Sequence, residues 1–356
     1  MRKLRRLSVT VLALLLAGFL WLHSGALAEG SNSHHDEGDS RDAGCASSEI
    51  EESSSSDCDG CADELESGGA RPPSGIASGH NPGDAYLAER WGISRIQAPQ
   101  AWQIAGGGQP TIVAILDTGI DADNRELADR VVGAVNFTES TTSDDLHGHG
   151  THMAGIVASI APNCGLLNVK VADDRGRCQA SSVARGIDWA VNQGAQVINL
   201  SLCTEPSPNL EKAIDYAWSR GAVVVAAAGN EGMSTAAYPA YYAGCLAVAA
   251  TNEGDSLAVL SNHGDGVDLA APGFKIYSTL PDDQYGYESG TSPAAAHVSG
   301  AAALVFSVAG DGNGNGMVND EVRQAIEGNC SWIGVGGAGN GLLNAYEAAS
   351  AVVSLV

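Results

Sequence analysis

Three histidines stand within six positions of the segment "DLHGHGTHMAG", residues 145–155. Imidazole does two kinds of chemistry near neutral pH: it ligates metal ions and it moves protons as a general base. A His-x-His pair with a third histidine close by is a plausible zinc arrangement. The other interpretation is one catalytic base with two structural neighbours. The segment alone leaves both open for His147, His149 and His152.

Three further polar residues stand at strand ends or helix starts, where catalytic groups are often found. Asp117 ends the apolar run "TIVAILD" in "DTG", but an aspartic peptidase needs two such carboxylates, and there is one DTG here. Ser292 is either a helix N-cap with Pro293 at the first helical position, or a nucleophile beside N–H groups that stabilise an oxyanion. Asn230, after "VVVAAAG", is either a turn residue or an amide donor to an oxyanion.

The elements around these residues alternate between strand and helix. Continuous apolar strands are predicted at 111–117, 166–172, 195–202 and 222–230, and helices at 149–160, 180–194, 209–221, after Ser292, near 319–328 and near 343–353. This alternation predicts an α/β fold, a mostly parallel sheet with helices on both faces. One domain over 81–356 is expected, with functional groups at the carboxyl ends of its strands.

The first 80 residues have a different character. Residues 1–28 combine the basic "MRKLRR", an apolar run and a terminal "ALA", which predicts a signal peptide and a secreted protein. An uncleaved membrane anchor is the alternative, but the apolar run is short for a span. Residues 29–80 are acidic and rich in Ser and Gly, so a disordered tail is expected. The formal net charge of −24 argues against a nucleic-acid partner.

Cysteine numbers leave the disulfide map open. Both groups of cysteines are odd in number, so either one bridge crosses between them or thiols remain. Export to an oxidising compartment favours bridges. The tail group is Cys45, Cys58 and Cys61, and the group in the domain is Cys164, Cys178, Cys203, Cys245 and Cys330.

Taken in order, "DTGID", "HGHGTHMAG", "VVVAAAGNEG" and "SGTSPAAAHVSGAAAL" resemble the subtilisin-like serine peptidases, the subtilases. "IQAPQAW" and "YPAYY" are most similar to thermitase-type members, and the resemblance runs from about Asn81 to the C-terminus. It implies the subtilisin-like three-layer fold and an endopeptidase, with peptide bonds as substrate and no required cofactor. In that scheme His147 is a loop residue and His152 is structural.

The resemblance also implies roles for individual residues. Ser292 attacks the peptide carbonyl, His149 carries the proton, and Asp117 orients the imidazole. The Asn230 side chain and the Ser292 N–H form the oxyanion hole, with Thr291 assisting. A polypeptide binds as an extended strand, and the matching pocket residues are Ser201, Leu202, Cys203, Ala228 and Gly229. A monomer without nucleic-acid or stable membrane partners is expected.

Two departures from the family pattern bear on activity. Cys203 and Thr204 replace two glycines of the cleft, and Cys203 there either narrows the cleft or forms a disulfide beside it. Pro293 and Ala296 replace the Met and Pro of "GTSMASPH", and Pro293 is expected to bias Ser292 toward extended angles. A catalytically impaired fold that binds a protein partner, or a ligase-like acyl transferase, is therefore the alternative to hydrolysis.

Two further departures concern calcium and maturation. The short "IAPNCG" lacks the loop that binds calcium in many relatives, and Cys164 is expected to pin it. "DGNGNGMVNDE" resembles a calcium loop, but Val322 occupies the twelfth position, where a carboxylate is expected. The alternative is a Gly/Asn loop with Asn319 capping the next helix. Residues 29–80 are too polar to form a folded pro-domain, so the protein folds without one or its tail is trimmed by another protease. The candidate calcium ligands are Asp311, Asn313, Asn315 and Asn319.

Overall fold

Seven parallel strands form the central sheet of the computed structural model, which describes residues 89–105 and 110–353. The sheet order is β2-β3-β1-β4-β5-β6-β7, and a separate antiparallel hairpin pairs β8 with β9. The strands are β1 Ile112–Asp117, β2 Val131–Asn136, β3 Gly165–Lys170, β4 Val197–Leu200, β5 Val223–Ala227, β6 Cys245–Thr251, β7 Leu269–Pro272, β8 Ile276–Leu280 and β9 Gln284–Glu288.

Helices cover both faces of this sheet. The helices are α1 Trp91–Arg95, α2 Ala98–Ala105, α3 His149–Ile160, α4 Ala180–Asn192, α5 Pro208–Ser219, α6 Thr291–Phe306, α7 Asn319–Gly328 and α8 Ala345–Val353.

Alternate residues of β1 divide the core into two clusters. Val113 and Ile115 belong to the cluster that holds the apolar residues of α3, α6 and α8, whereas Ala114 and Leu116 belong to the cluster that holds those of α4 and α5. A strand buried on both faces needs apolar residues at every position, which is why the runs read from sequence were continuous. The predicted α/β class, with helices on both faces, is confirmed.

At two helix starts the structure rules out the capping interpretation that the sequence left open. Helix α6 begins at Thr291 with Gly290 as its N-cap, so Ser292 is the second helical residue rather than the cap. Pro293 is the third helical residue, and Ser292 before it is itself helical, so the expected extended bias of Ser292 does not arise. The helix tolerates a proline here because the N–H groups of the first turn have no partner within the helix. Asn319 begins α7 and does not cap it, because its Nδ2 donates to the Trp218 carbonyl at 2.9 Å.

The predicted signal peptide (1–28) and acidic tail (29–80) lie outside the described residues. Over the described ranges, no helix is both long and apolar enough to cross a membrane. Strands β2 and β6–β9 were not predicted from the sequence.

Candidate active site

A hydrogen bond joins Asp117, the last residue of β1, to His149, the first residue of α3. The His149 Nδ1 lies 2.7 Å from the Asp117 Oδ1, and both side chains are buried. Asp117 Oδ1 also accepts from the Thr118 N–H at 2.7 Å. A carboxylate accepts only, so Nδ1 of His149 carries the proton, and in the neutral ring Nε2 is then the acceptor. The pair is therefore built to hold an imidazole in the tautomer of a general base.

The buried carboxylate of Asp145 fixes the start of α3. Its Oδ1 accepts from the Thr118 hydroxyl at 2.8 Å and from the N–H groups of His147 and Gly148 at 3.1 and 2.8 Å. Its Oδ2 accepts from the N–H and the hydroxyl of Thr151 at 2.8 and 2.7 Å. These bonds satisfy donors at a helix start that would otherwise be buried without partners.

Asp145 was not singled out from the sequence. The available signal was an acidic residue just before a helix start. Its connection to Asp117 through Thr118 depends on the tertiary fold.

Gly150 lets α3 approach β1 closely. A Cβ at this position would lie 2.0 Å from the Gly119 carbonyl oxygen and 3.1 Å from the Asp117 Cβ. Gly119 itself has φ +117, a conformation that other residues rarely adopt. The glycines of "DTG" and "HGTH" therefore set the distance between the two side chains that form the hydrogen bond.

Ser292 lies near the start of α6, against the residue that follows β4. Its carbonyl accepts from the Ser201 hydroxyl at 2.9 Å, and its own hydroxyl donates to the Ser201 carbonyl at 3.4 Å. Asn199 donates to the Ser201 hydroxyl at 2.9 Å and accepts from Ser299 at 2.9 Å. This buried chain of polar groups ties α6 to the carboxyl end of β4.

Asn230, Thr291 and Gly229 form one hydrogen-bonded unit beside Ser292. Asn230 Oδ1 accepts from the Thr291 N–H at 2.8 Å and from its hydroxyl at 3.0 Å. The Thr291 hydroxyl in turn accepts from the Gly229 N–H at 3.0 Å. With Oδ1 engaged as the acceptor, Nδ2 is the donor end of the amide. This is the orientation that a donor to an oxyanion requires.

The other two histidines of residues 145–155, His147 and His152, have different surroundings. His152 Nε2 lies 3.1 Å from the Ile276 carbonyl and 3.3 Å from the Gly286 carbonyl of the β8–β9 hairpin. Burial, reinforced by the nearby His149, lowers the pKa of His152 to about 3. His147 packs its ring edge-on against His149, with centroids 6.4 Å apart. Within the described ranges, no group of three or more His, Cys, Asp or Glu residues is placed to hold a metal ion.

The residues matched to the specificity pocket fall into two groups. The side chains of Leu202 and Ala228 lie in the apolar core, so only their backbone is available to a substrate. Ser201 and Gly229 hydrogen-bond to α6, as described above. Cys203 is half-buried and disulfide-bonded. Of the two expected roles for Cys203, the structure supports the disulfide.

Hydrogen bonds within the 311–321 loop engage its carboxylates. Asp311 accepts from the N–H groups of Gly314 and Gly316 at 2.7 and 2.8 Å, and Glu321 accepts from Gly312 at 3.1 Å. The calcium interpretation stays a prediction, although Asn319 points away to Trp218.

Cys164 was expected to pin its loop, but it does not do so through a disulfide. Cys164 keeps a buried thiol, whose pKa is raised to about 12 by burial.

Comparison with known proteins identifies the family to which this fold belongs. A sequence profile of the subtilase family matches residues 108–346. The chain belongs to the subtilase family. It is 42% identical to thermitase of Thermoactinomyces vulgaris over 284 residues, which is 76% of this chain and 99% of thermitase. It is 42% identical to subtilisin BL of Lederbergia lenta over 270 residues, which is 72% of this chain and 97% of that protein.

A third relative, a thermophilic serine proteinase of a Bacillus species, is 40% identical over 259 residues, covering 69% of this chain and 63% of that protein. This subtilase is a subtilisin-like serine endopeptidase, and its substrates are polypeptides.

Proposed function

We propose that Ser292, His149 and Asp117 form the catalytic triad of this subtilase. His149 takes the proton of the Ser292 hydroxyl as the oxygen attacks the peptide carbonyl, and it returns that proton to the leaving amine. Water then attacks the acyl-enzyme, with His149 again acting as the base. The observation that carries the proposal is the 2.7 Å hydrogen bond from His149 Nδ1 to Asp117 Oδ1.

The oxyanion hole consists of the Asn230 Nδ2 and the Ser292 N–H. Asn230 Oδ1 accepts two hydrogen bonds from Thr291, which supports an amide turned with its donor end toward the substrate. Ser292 is the second residue of α6, where backbone N–H groups have no partner within the helix. Pro293 removes its own N–H and leaves that of Ser292, so hydrolysis does not lose this donor.

Substrate recognition follows from the pocket residues. Ser201, Leu202, Ala228 and Gly229 offer mainly backbone to an extended peptide, which suits main-chain hydrogen bonding along a strand. The enzyme acts as a monomer, is exported by the signal peptide at 1–28, and needs no cofactor. A structural calcium ion at 311–321 is a separate proposal, which calcium titration in a thermal unfolding assay tests.

Active-site labelling tests the triad directly. The protein spanning residues 29–356 is treated with a fluorophosphonate, and turnover of a chromogenic peptide is measured in parallel. Ser292→Ala is expected to lose both labelling and turnover, and His149→Ala is expected to lose most of both. The matched control, Ser219→Ala, removes an exposed serine on α5 and is expected to change neither. Labelling that persists in Ser292→Ala would overturn the assignment of the nucleophile.

A further inference from the structure

Two buried polar side chains of β3 stand beside the carboxyl end of β1. Asn168 and Lys170 are both 0% exposed, and since they are two positions apart they point to the same face of the sheet. In the parallel register of β1 and β3, Lys170 lies opposite Asp117. Buried polar groups lower the stability of a fold unless hydrogen bonds satisfy them, so the partners of these two side chains indicate what they contribute.

Two short backbone segments hold the hydrogen-bonded pair of the active site in place. The post-β1 segment, residues 118–120, follows Asp117, and the pre-α3 segment, residues 143–145, comes shortly before α3. The two segments touch, since a Cβ on Gly119 would lie 2.6 Å from the Ser143 carbonyl oxygen. The relative position of these segments therefore sets where the carboxylate and the imidazole meet.

Asn168 donates to both segments. Its Nδ2 lies 3.3 Å from the Ile120 carbonyl of the post-β1 segment and 2.9 Å from the Ser143 carbonyl of the pre-α3 segment. An amide nitrogen carries two N–H groups, one for each of these carbonyls. The Oδ1 of Asn168 is buried and accepts no hydrogen bond within the described part of the chain. What this side chain contributes is therefore its two donated hydrogen bonds.

Lys170 makes the same connection with a charged donor. Its Nζ donates to the Thr118 carbonyl of the post-β1 segment and, at 3.3 Å, to the Asp144 carbonyl of the pre-α3 segment. The Asp174 carboxylate, 2.8 Å from Nζ, balances the charge. An ammonium group has three N–H donors, and these three partners use all of them. Hydrogen bonds from a charged donor are stronger than those between neutral groups, so Lys170 holds the two segments firmly.

The post-β1 segment transmits its position to the carboxylate. Thr118 donates its N–H at 2.7 Å to Asp117 Oδ1, the oxygen that lies 2.7 Å from His149 Nδ1. The Thr118 hydroxyl also joins the two segments, through Asp145 at 2.8 Å. Among the described residues, the four carbonyls bound by the two β3 side chains accept from no backbone N–H group, so these side chains are their donors.

We propose that Asn168 and Lys170 are positioning residues of this subtilase, which hold the two segments together and thereby set the hydrogen bond between Asp117 and His149. The inference rests on the proposed function, because it takes this pair as part of the catalytic triad. Both side chains are fully buried, so they act through the backbone and touch neither the substrate nor the reacting atoms.

Loss of either side chain is expected to lower kcat and to leave KM unchanged. The carboxylate acts on the positive charge that the imidazole acquires in the transition state, so its displacement spares substrate binding. Asn168→Leu, which keeps the branched shape of the side chain, is expected to lower kcat roughly tenfold, and Lys170→Met roughly 100-fold, the order of effect of a displacement of about 1 Å.

Steady-state kinetics with a chromogenic peptide, on the protein spanning residues 29–356, measures this effect. The matched controls are Lys212→Met, at an exposed position of α5, and Asn329→Leu, which removes a single amide donor to the Ala325 carbonyl after α7. Both controls are expected to keep the kcat and KM of the parent. A parental kcat in Asn168→Leu, or a raised KM at unchanged kcat, overturns the proposal. Asn168→Leu removes no charge, and it carries the test if Lys170→Met does not fold.

Proton NMR reports on the geometry of the pair directly. A hydrogen bond to a carboxylate moves the signal of the His149 Nδ1 proton far downfield, and the Ser292→Ala background prevents self-digestion during the measurement. With Asn168→Leu added, this signal is expected to move upfield or to broaden through exchange with solvent, while circular dichroism shows an unchanged fold. An unchanged signal together with a lowered kcat overturns the positioning role.

The acid limb of the pH profile of kcat/KM gives an independent readout. A weaker contact with Asp117 makes the protonated imidazole less stable, so the limb is expected to move to lower pH in Asn168→Leu. The variant keeps Asp117, His147 and His152, the titratable groups that the structure shows next to His149. A fold that is merely less stable lowers the height of the profile without moving the limb, and that outcome overturns the proposal.

Fluorophosphonate labelling separates this inference from the proposed function. Absence of labelling in the parent protein contradicts the proposed triad itself. Normal labelling of the parent, with the same kinetics and the same pH profile in Asn168→Leu, contradicts only the positioning role.

Discussion

At the scale of single residues, the two ends of the Asn230 amide have different tasks. Oδ1 is engaged with the backbone and hydroxyl of Thr291 at 2.8 and 3.0 Å. The proposed function of Nδ2 is to donate to the oxyanion. The orientation of the amide is thus set by a neighbour on α6, which also carries the proposed nucleophile, Ser292.

Asn230→Ala is expected to lower kcat by about 100- to 1000-fold with little change in KM, the loss typical of removing an oxyanion donor. The donor acts on charge that develops only in the transition state, which is why binding of the substrate is spared. Steady-state kinetics on a peptide substrate measures this effect. Thr291→Val keeps the shape of the side chain and is expected to cause a smaller loss. An increase in KM at unchanged kcat would contradict the assignment.

At the scale of elements, the active site depends on where α3 begins and how closely it approaches β1. Asp145 fixes the start of α3, because its carboxylate accepts five hydrogen bonds, four from donors at the helix start and one from the Thr118 hydroxyl. Gly150 permits the close approach to β1, since a Cβ there would overlap the Gly119 carbonyl. His149 and Asp117 meet only because both conditions hold.

Asp145→Ala is expected to destabilise the folded protein by about 3 kcal/mol or more, since several buried donors lose their partner and each costs about 1–3 kcal/mol. Chemical denaturation in the Ser292→Ala background measures this free energy without self-digestion. The matched control is Asp144→Asn, a change in the exposed neighbouring carboxylate, for which a shift within about 0.5 kcal/mol is expected. Similar free energies of unfolding for the two variants would show that Asp145 does not hold the start of α3 in place.

Gly150→Ala is expected to lower kcat/KM by about 100-fold or more, because a displacement of about 1 Å of a catalytic group has that order of effect. The added methyl would otherwise sit 2.0 Å from a carbonyl oxygen. Gly328→Ala, at the end of α7 where a Cβ meets nothing within 4 Å, is the control and is expected to keep full activity. Peptide turnover by the two variants measures this effect, and equal turnover would show that α3 accommodates the methyl group without moving His149.

At the scale of the whole molecule, two buried histidines link folding to pH. Burial lowers the pKa of His152 to about 3 and that of His297 to about 4. His297 lies within α6, and its Nδ1 is 2.8 Å from the Pro293 carbonyl. In the unfolded chain both rings take up a proton near their ordinary pKa of about 6.5. The unfolded state therefore binds more protons, and stability falls as the pH drops below about 6.5.

His297→Asn is expected to reduce the pH dependence of the unfolding free energy between pH 5 and 6 by about 1.1 kcal/mol per pH unit, since the unfolded ring binds about 0.8 proton more than the folded one over this range. The reduction follows because the variant lacks one group that titrates only in the unfolded state. Urea unfolding in the Ser292→Ala background at pH 5, 6 and 8 measures it. At pH 8 both rings are neutral in both states, so that value serves as the internal reference. An unchanged slope would show that His297 takes up its proton in the folded protein.

The sequence by itself determined the class of fold, the chain order of Asp117, His149 and Ser292, and the limits of α3. Continuous apolar strands and helical periodicity are local properties, and they predict a covered parallel sheet without knowledge of contacts. Family motifs supplied the candidate roles of individual residues. Local patterns failed at the starts of α6 and α7, because whether a side chain caps a helix depends on competing partners such as Trp218 that are distant in the chain.

Only the tertiary structure decided which polar groups meet. The hydrogen bond between Asp117 and His149, the carboxylate of Asp145 behind them, and the orientation of the Asn230 amide join residues from different elements. The burial of the Cys164 and Cys245 thiols likewise depends on packing between distant segments. Such pairings arise when packing brings distant segments together, and neither spacing nor composition carries that information.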